Sequence, residues 1–380
     1  MNDYANRALL PAGLRDILPP DAAFEAEIVQ RLMGYFAAQG YERVKPPLIE
    51  FEESLLTGVG AGMAGQTFRI MDPVSQRMMG VRADMTLQVA RIATTRLGNA
   101  PRPLRLSYAG QVLRVKGSQL RPERQFGQAG LELIGSDSPA ADAEVVVLAA
   151  EALAELGLSD VSVDLTLPTL VPALCADLDL DEATIGRLRG ALDHKDAALV
   201  AAILPAAAAK SFCDLLQAAG PADQALAALR SMSLPRAAAH ERDRLAVVVE
   251  LVRSHAPGLA LTVDPVENRG YEYHSGVSFT IFSRRAIAEL GRGGRYLADG
   301  DEPATGVTLF MDTVQAVLPA PAAERRVFLP FGTAREVSAR LRGEGWVTVA
   351  GLEEVADPRA EARRLNCGHL VMADRVIETE

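Results

Sequence analysis

The chain has 380 residues, 49% of them apolar and 23% charged, with 39 basic against 49 acidic side chains and a formal net charge of −10. This is an ordinary globular composition, long enough for two or three domains and a substantial core. The acidic balance gives no overall attraction for phosphodiester backbones, no run of about 18 uncharged apolar residues marks a membrane span, and three widely spaced cysteines (Cys175, Cys213, Cys367) without nearby histidines indicate structural thiols rather than a disulfide framework or metal site.

The N-terminus, MNDYANRALLPAG, lacks the basic-then-apolar order of an export signal, so a cytoplasmic location is expected. After Pro19-Pro20-Asp21, Phe24, Ile28, Leu32 and Phe36 recur every four residues up to Gly40, which predicts an amphipathic helix. YERVKPPLIEF (41–51) reads as extended because Pro46 and Pro47 exclude helix, and TFRIMD (67–72) with QRMMGVR (76–82) reads as a hairpin. Thr86 is placed to cap a helix running to Gly98; RPLRLSYAGQVLRV and RQFGQAGLELIG then predict two long antiparallel strands joined by a basic loop. A helix from about Ala140 to Gly157 and the strand VSVDLTL (161–167) follow. Residues 169–255 carry Ala and Leu at helical spacing and no strand alternation, which predicts an inserted helical subdomain. Strand character returns at LALTVDP (259–265) and NRGYEYHSGVSFTIFS (268–283), a Gly-rich turn is expected at GRGGRY (291–296), and ATGVTLFMDTVQAVL (304–318) reads as a strand leading into a helix. Beyond a Pro/Ala linker, residues 324–380 predict a small βαβαβ unit, with HLVMADRVIE as its last strand.

Three stretches could carry chemistry. Arg114, Lys116, Arg121 and Arg124 surround the turn of LRVKGSQLRPERQFGQAGLELIG, where arginines can grip phosphate or carboxylate in a two-pronged manner; a charged hairpin tip facing water is the alternative. RADMT (82–86) sets Asp84 and Thr86 at a helix start, as a cap or as ligand contacts. In NRGYEYHSG the strand period puts Arg269, Tyr271 and Tyr273 on one face and Glu272 and His274 on the other. GRGGRY lacks the spacing and the strand–helix context of a dinucleotide fingerprint, and no nucleophilic triad, Walker or zinc pattern occurs.

Taken in order, LPAGLRDILPP, GYERVKPPLIE with Pro47, VRADMT, the loop motif, NRGYEYHSG and GGRY resemble the catalytic core of the histidyl-tRNA synthetases from about Leu10 to Leu318. The resemblance implies an α+β fold: a class II aminoacyl-tRNA synthetase-like antiparallel sheet flanked by helices, spanning 1–318 with the helical insertion at about 169–255. The small C-terminal α/β domain, 324–380, resembles a truncated anticodon-binding domain. The family's histidine-contacting positions fall on Asp84, Thr86, Arg114, Gln128, Glu132, Arg269, Tyr273 and His274.

The departures have a direction. Where a synthetase ends its core strand in Gly-x-Glu-Arg, this chain has Asp312 and Thr313, and Lys116 stands where motif two carries the glutamate that helps place ATP. The region 324–380 holds nine Arg and no Lys against ten acidic residues, so no net basic surface faces RNA. Such departures resemble those of the synthetase-like regulatory subunits of short-form ATP phosphoribosyltransferase. That likeness implies no catalysis and no cofactor or metal of its own. It further implies association as a dimer within a hetero-octamer with the short catalytic subunit, L-histidine as feedback effector in histidine biosynthesis, and no nucleic-acid or membrane partner. A synthetase with drifted motifs and a free-standing histidine-binding sensor stay open at this point.

Overall fold

The computed structural model describes residues 9–379 apart from 57, 119–120, 177, 179, 268–273, 300 and 374, and of residues 58–61 only the backbone. Contacts divide the chain into two compact units, Met1–Leu318 and Pro319–Glu380.

In the first unit, helix α1 (Asp21–Ala38) buries Ile28, Leu32, Met33 and Phe36, and its chain leaves through Gly40 at φ +84°. Each of these side chains contributes at most about 1.5–3 kcal/mol by leaving water. Strand β1 (Glu42–Arg43) leads to β2 (Ile49–Phe51), which forms a three-stranded sheet with the hairpin β3 (Phe68–Met71) and β4 (Met78–Val81) in the order β2-β4-β3. Helix α2 (Thr86–Arg91) continues as a widened π turn over Ile92–Arg96 instead of running as α-helix to Gly98. There the hydroxyls of Thr94 and Thr95 bond back to the carbonyls of Ala90 and Arg91, a competition that disturbs a regular helix.

The main sheet follows. Strands β5 (Leu104–Leu113) and β6 (Gln125–Ile134) pair antiparallel over ten positions. Helix α3 (Pro139–Glu155) starts from a Ser138 side-chain cap, and β7 (Val161–Thr166) ends at the inserted region. The insertion is helical, with α4 (Leu170–Cys175), α5 (Glu182–Asp193), α6 (Ala197–Ile203), α7 (Ala206–Gln217), α8 (Ala222–Ser231) and α9 (Arg236–His255). One two-residue strand, β8 (Gly220–Pro221), lies before α8. Strands β9 (Ala260–Asp264), β10 (His274–Ser283), β11 (Gly291–Ala298) and β12 (Glu302–Phe310) and helix α10 (Met311–Val317) complete the unit.

The nine strands run in the order β1-β5-β6-β12-β11-β10-β7-β9-β8, antiparallel except for the β1–β5 and β7–β9 pairs. This is the class II synthetase-like α+β architecture. The GRGGRY stretch is not a turn. It lies within β11, paired along its length to β12 and also to β10, because glycines and one buried arginine give no alternating apolar signal to read. That arginine, Arg295, is 4% exposed and pairs with the equally buried Asp142 at 2.9 Å, tying β11 to the first turn of α3.

One face of the sheet, with Leu131, Leu133, Val163, Phe279 and Val307, packs in the large core that also takes α1, α3 and the insertion helices. The opposite face, with Leu106, Tyr108, Phe126, Tyr296 and Phe310, shares a smaller core with Met85, Val89 and Ala93 from the α2 region. The candidate site lies on this second face.

The C-terminal unit comprises β13 (Arg326–Leu329), α11 (Arg335–Gly343), β14 (Val347–Ala350), α12 (Pro358–Arg364), β15 (His369–Met372) and β16 (Arg375–Glu378), with sheet order β14-β13-β15-β16. HLVMADRVIE is therefore an antiparallel hairpin rather than one strand, turning near Ala373 at φ +45°.

Candidate functional site

Strand period and register assemble the site. Gln128, Gly130 and Glu132 alternate onto one face of β6, beside Tyr108 of β5 and Phe310, Thr308 and Gly306 of β12. Beyond β12 the same face continues on β11 with Arg292, Gly294 and Tyr296. His274 begins β10 opposite Tyr296. From there β10 takes four residues to reach Ser278 while β11 takes two to reach Gly294, a bulge at the edge of the site.

Two glycines let side chains meet across a strand. Tyr108 passes over Gly130 to reach Thr308 Oγ1 at 2.7 Å; a Cβ at Gly130 would lie 2.5 Å from the Tyr108 hydroxyl. Glu132 lies over Gly306, where a Cβ would sit 1.7 Å from Glu132 Oε2, and there it accepts a hydrogen bond from the Tyr296 hydroxyl at 2.9 Å. Tyr108 donates to the other oxygen, Oε1, at 3.2 Å, and the Thr86 hydroxyl lies 3.1 Å from Tyr108. Glu132 is fully buried, and burial pushes its carboxyl up to about 8, against which the hydroxyls of Thr86, Tyr296 and Tyr108 pull it down.

A second group lies at the start of α2. Asp84 Oδ1 accepts from the Thr86 backbone N–H at 2.9 Å, and Asp84 Oδ2 accepts from Gln128 Nε2 at 2.9 Å. Gln128 Oε1 in turn accepts from Met85 N at 3.1 Å, which fixes the orientation of the amide. Thr86 therefore does not cap the helix. Its hydroxyl is turned to Tyr108 while Asp84 supplies the turn, because a buried tyrosine hydroxyl must find a partner.

Asp84, Thr86, Glu132, His274, Arg114, Arg292 and Tyr296 line one narrow cleft with about 30 Å³ of open space. Of the eight residues singled out in the sequence, Asp84, Thr86, Arg114, Glu132 and His274 border this space and Gln128 braces Asp84 from behind. Arg269 and Tyr273 lie outside the described residues. Sequence reasoning missed Tyr108, Tyr296, Thr308 and Arg292; the available signal was the two-residue alternation Arg292-Gly294-Tyr296 beside Gln128-Gly130-Glu132.

The loop between β5 and β6 combines both readings of its arginines. Lys116 is exposed. Arg124 turns to the N-terminal segment, donating from Nη1 to the Ala12 carbonyl at 3.1 Å. Arg121 folds inward, 6% exposed, with Nε 3.0 Å from Asp312 Oδ2 and its guanidinium carbon 3.9 Å over the Phe310 ring. Its Nη2 donates to Thr313 Oγ1 at 3.0 Å and to the Glu289 carbonyl at 3.1 Å. The two residues that stand in place of Glu-Arg are thus both engaged by Arg121. Arg114 is held differently. Among the described residues its only side-chain hydrogen bond runs from Nε to the Ala83 carbonyl at 3.3 Å, and burial holds its guanidinium below the usual range although Asp84 pulls the other way.

The family model of histidyl-tRNA synthetase matches residues 13–314. Over its whole length the chain is 64% identical to the ATP phosphoribosyltransferase regulatory subunit of Paramagnetospirillum magneticum, with 100% of each chain covered. The chain belongs to the family of ATP phosphoribosyltransferase regulatory subunits. Its counterpart of that name in Rhodospirillum rubrum is 55% identical, covering 97% of this chain and 96% of the relative. A crystal structure described as an ATP phosphoribosyltransferase regulatory subunit/histidyl-tRNA synthetase from Bacillus halodurans superposes with a TM-score of 0.82 at 25% identity, covering 94% of this chain and 96% of that one. A histidyl-tRNA synthetase from Nostoc sp. PCC 7120 superposes with a TM-score of 0.79 at 18% identity, a likeness of fold; it covers 96% of this chain and 91% of that one. Membership of the regulatory-subunit family agrees with the departures at Lys116, Asp312 and Thr313.

Proposed function

We propose that the chain performs no chemistry of its own and acts in the cytoplasm on the short ATP phosphoribosyltransferase catalytic chain, which needs it for activity and through it is inhibited by L-histidine. The effector binds in the cleft: Asp84 takes its ammonium group, Arg114 its carboxylate, and the Glu132–Tyr296 pair its imidazole. A neutral Glu132 can donate or accept, and an ionised one would pair with an imidazolium. The chain self-associates as a dimer within a hetero-octamer.

The observation that carries this reading is a contrast within one sheet face. Asp84, braced by Gln128, and Glu132 border a cleft, whereas next to them Arg121 is committed to Asp312, Thr313 and Phe310. Histidine must favour one of two assembly states by its differential affinity, typically about 1–3 kcal/mol of coupling or 5–150-fold. The test mixes the purified chain with the catalytic chain and follows phosphoribosyl transfer with and without histidine. Activation together with histidine inhibition is expected; unchanged activity and unchanged histidine sensitivity would overturn the proposal.

A further inference from the structure

We propose that the loop joining β10 to β11, residues 284–290, together with Phe282 is the surface that docks on the short catalytic chain, entering an apolar socket rimmed by carboxylates. This names a contact face for the partner proposed above and rests on that reading.

Ile287 is 88% exposed and Phe282 41% exposed. One exposed isoleucine is ordinary on a protein surface, but here two large apolar side chains share a single hairpin end with the exposed Arg284 and Arg285. The loop holds neither glycine nor proline, and both of its ends are anchored. At one end the buried Ser283 donates from Oγ to Asp160 Oδ2 at 3.2 Å, and its carbonyl accepts from the Ala286 N–H at 3.1 Å. At the other end Leu290 is fully buried, its N–H bonded to the Ile281 carbonyl at 2.8 Å and its carbonyl to the Phe310 N–H at 2.8 Å. Docking a loop that is already shaped loses little conformational entropy.

Position and charge select the occupant. On β10 Phe282 shares the cleft face with Thr280, which stands opposite Arg292, a residue of the cleft lining. Within the loop Glu289 accepts from Arg292 Nη2 at 2.9 Å, and its carbonyl accepts from Arg121 Nη2 at 3.1 Å. The exposed surface is therefore continuous with the cleft, as a face that reports on the cleft to a second protein must be. Nearby acids do not neutralise the tip. Glu289 serves Arg292 and Arg121, and Asp160 lies 3.5 Å from Arg285, which leaves Arg284 in excess. Two copies meeting tip to tip around a two-fold axis would set these arginines against one another. A different chain that presents carboxylates around an apolar socket meets no such opposition.

The experiment titrates the catalytic chain with the full-length protein, by calorimetry and by the rate of phosphoribosyl transfer, for the parent, Ile287→Asp, Ile287→Val and Arg284→Glu. Circular dichroism establishes folding, light scattering gives the assembly state of each variant alone, and calorimetry with L-histidine reports on the cleft. Ile287→Asp is expected to bind the catalytic chain about 10–100-fold more weakly, the loss typical of an interface anchor, and to activate it only at correspondingly higher concentration. Arg284→Glu is expected to weaken binding and to reduce its salt dependence, while Ile287→Val, which keeps the apolar contact, stays near the parent. Histidine affinity and self-association stay parental in all three. Parental affinity for the catalytic chain in both Ile287→Asp and Arg284→Glu would overturn the assignment. Loss of self-association would give the loop to a second copy, and a matching loss of histidine binding would show damage to the cleft; either result equally overturns it. A parent that neither binds nor activates the catalytic chain would instead refute the function proposed above.

Discussion

Replacing Glu132 by glutamine should make the stability of the empty protein less sensitive to pH. Glu132 is fully buried with a carboxyl at about 8, whereas in the unfolded chain it returns to an ordinary value near 4.5. The folded state therefore holds this proton more tightly than the unfolded state does. Stability associated with it is present below pH 4.5 and lost as pH rises toward 8, at about 1.4 kcal/mol per pH unit, an upper bound of ~5 kcal/mol. Glutamine imitates the protonated acid, with one acceptor for a tyrosine hydroxyl and no proton to lose. Between pH 5.5 and 7.5 the variant should gain about 3 kcal/mol on the parent, because every other titrating group is common to both. The assay is urea unfolding at constant ionic strength without histidine, followed by circular dichroism. The single tryptophan, Trp346, belongs to the C-terminal unit and would report on the wrong body. A parent–variant difference that stays flat within about 0.5 kcal/mol across this range would refute the argument that Glu132 is a neutral acid in the empty cleft.

Gly306→Ala drives a methyl into Glu132 Oε2, so it should abolish histidine binding in calorimetry and lower stability by about 1–3 kcal/mol, the usual penalty of overpacking. Arg121→Ala leaves the Asp312 carboxylate without its 3.0 Å partner, and burial already raises that carboxyl. The loss should be about 3 kcal/mol in urea unfolding and should shrink when Asp312→Asn is added, so additive losses would show that the pair is not coupled.

The fold was legible where periodicity was strong. The four-residue spacing Ile28-Leu32-Phe36 and the two ten-residue strand-like stretches either side of the basic loop correspond to α1 and the β5–β6 pair. It was illegible at GRGGRY, a central strand whose glycines present no alternation, and at HLVMADRVIE, where a tight turn interrupts an otherwise continuous strand signal. Motif positions placed Asp84, Gln128 and Glu132 near one another, but not the tyrosines that hold Glu132. Tyr108 and Tyr296 come from strands on either side of Glu132 and reach it through space left by Gly130 and Gly306, and such reach depends on register between strands distant in sequence.

Phe126 has two cations near its ring, with the Arg114 guanidinium carbon at 5.0 Å and that of Arg121 at 5.1 Å. A ligand stacking on this aromatic end would have to withdraw Arg121 from Asp312, Thr313 and the Glu289 carbonyl. Breaking a buried ion pair in this way costs about 3–5 kcal/mol before any new contact forms. A small zwitterion held by Asp84 and Arg114 requires no such break, since Arg114 has Nη donors uncommitted among the described residues. The asymmetry favours a binder of a small amino acid over an adenylating site, and it arises from substituting Asp312 and Thr313 beneath an arginine long enough to reach both.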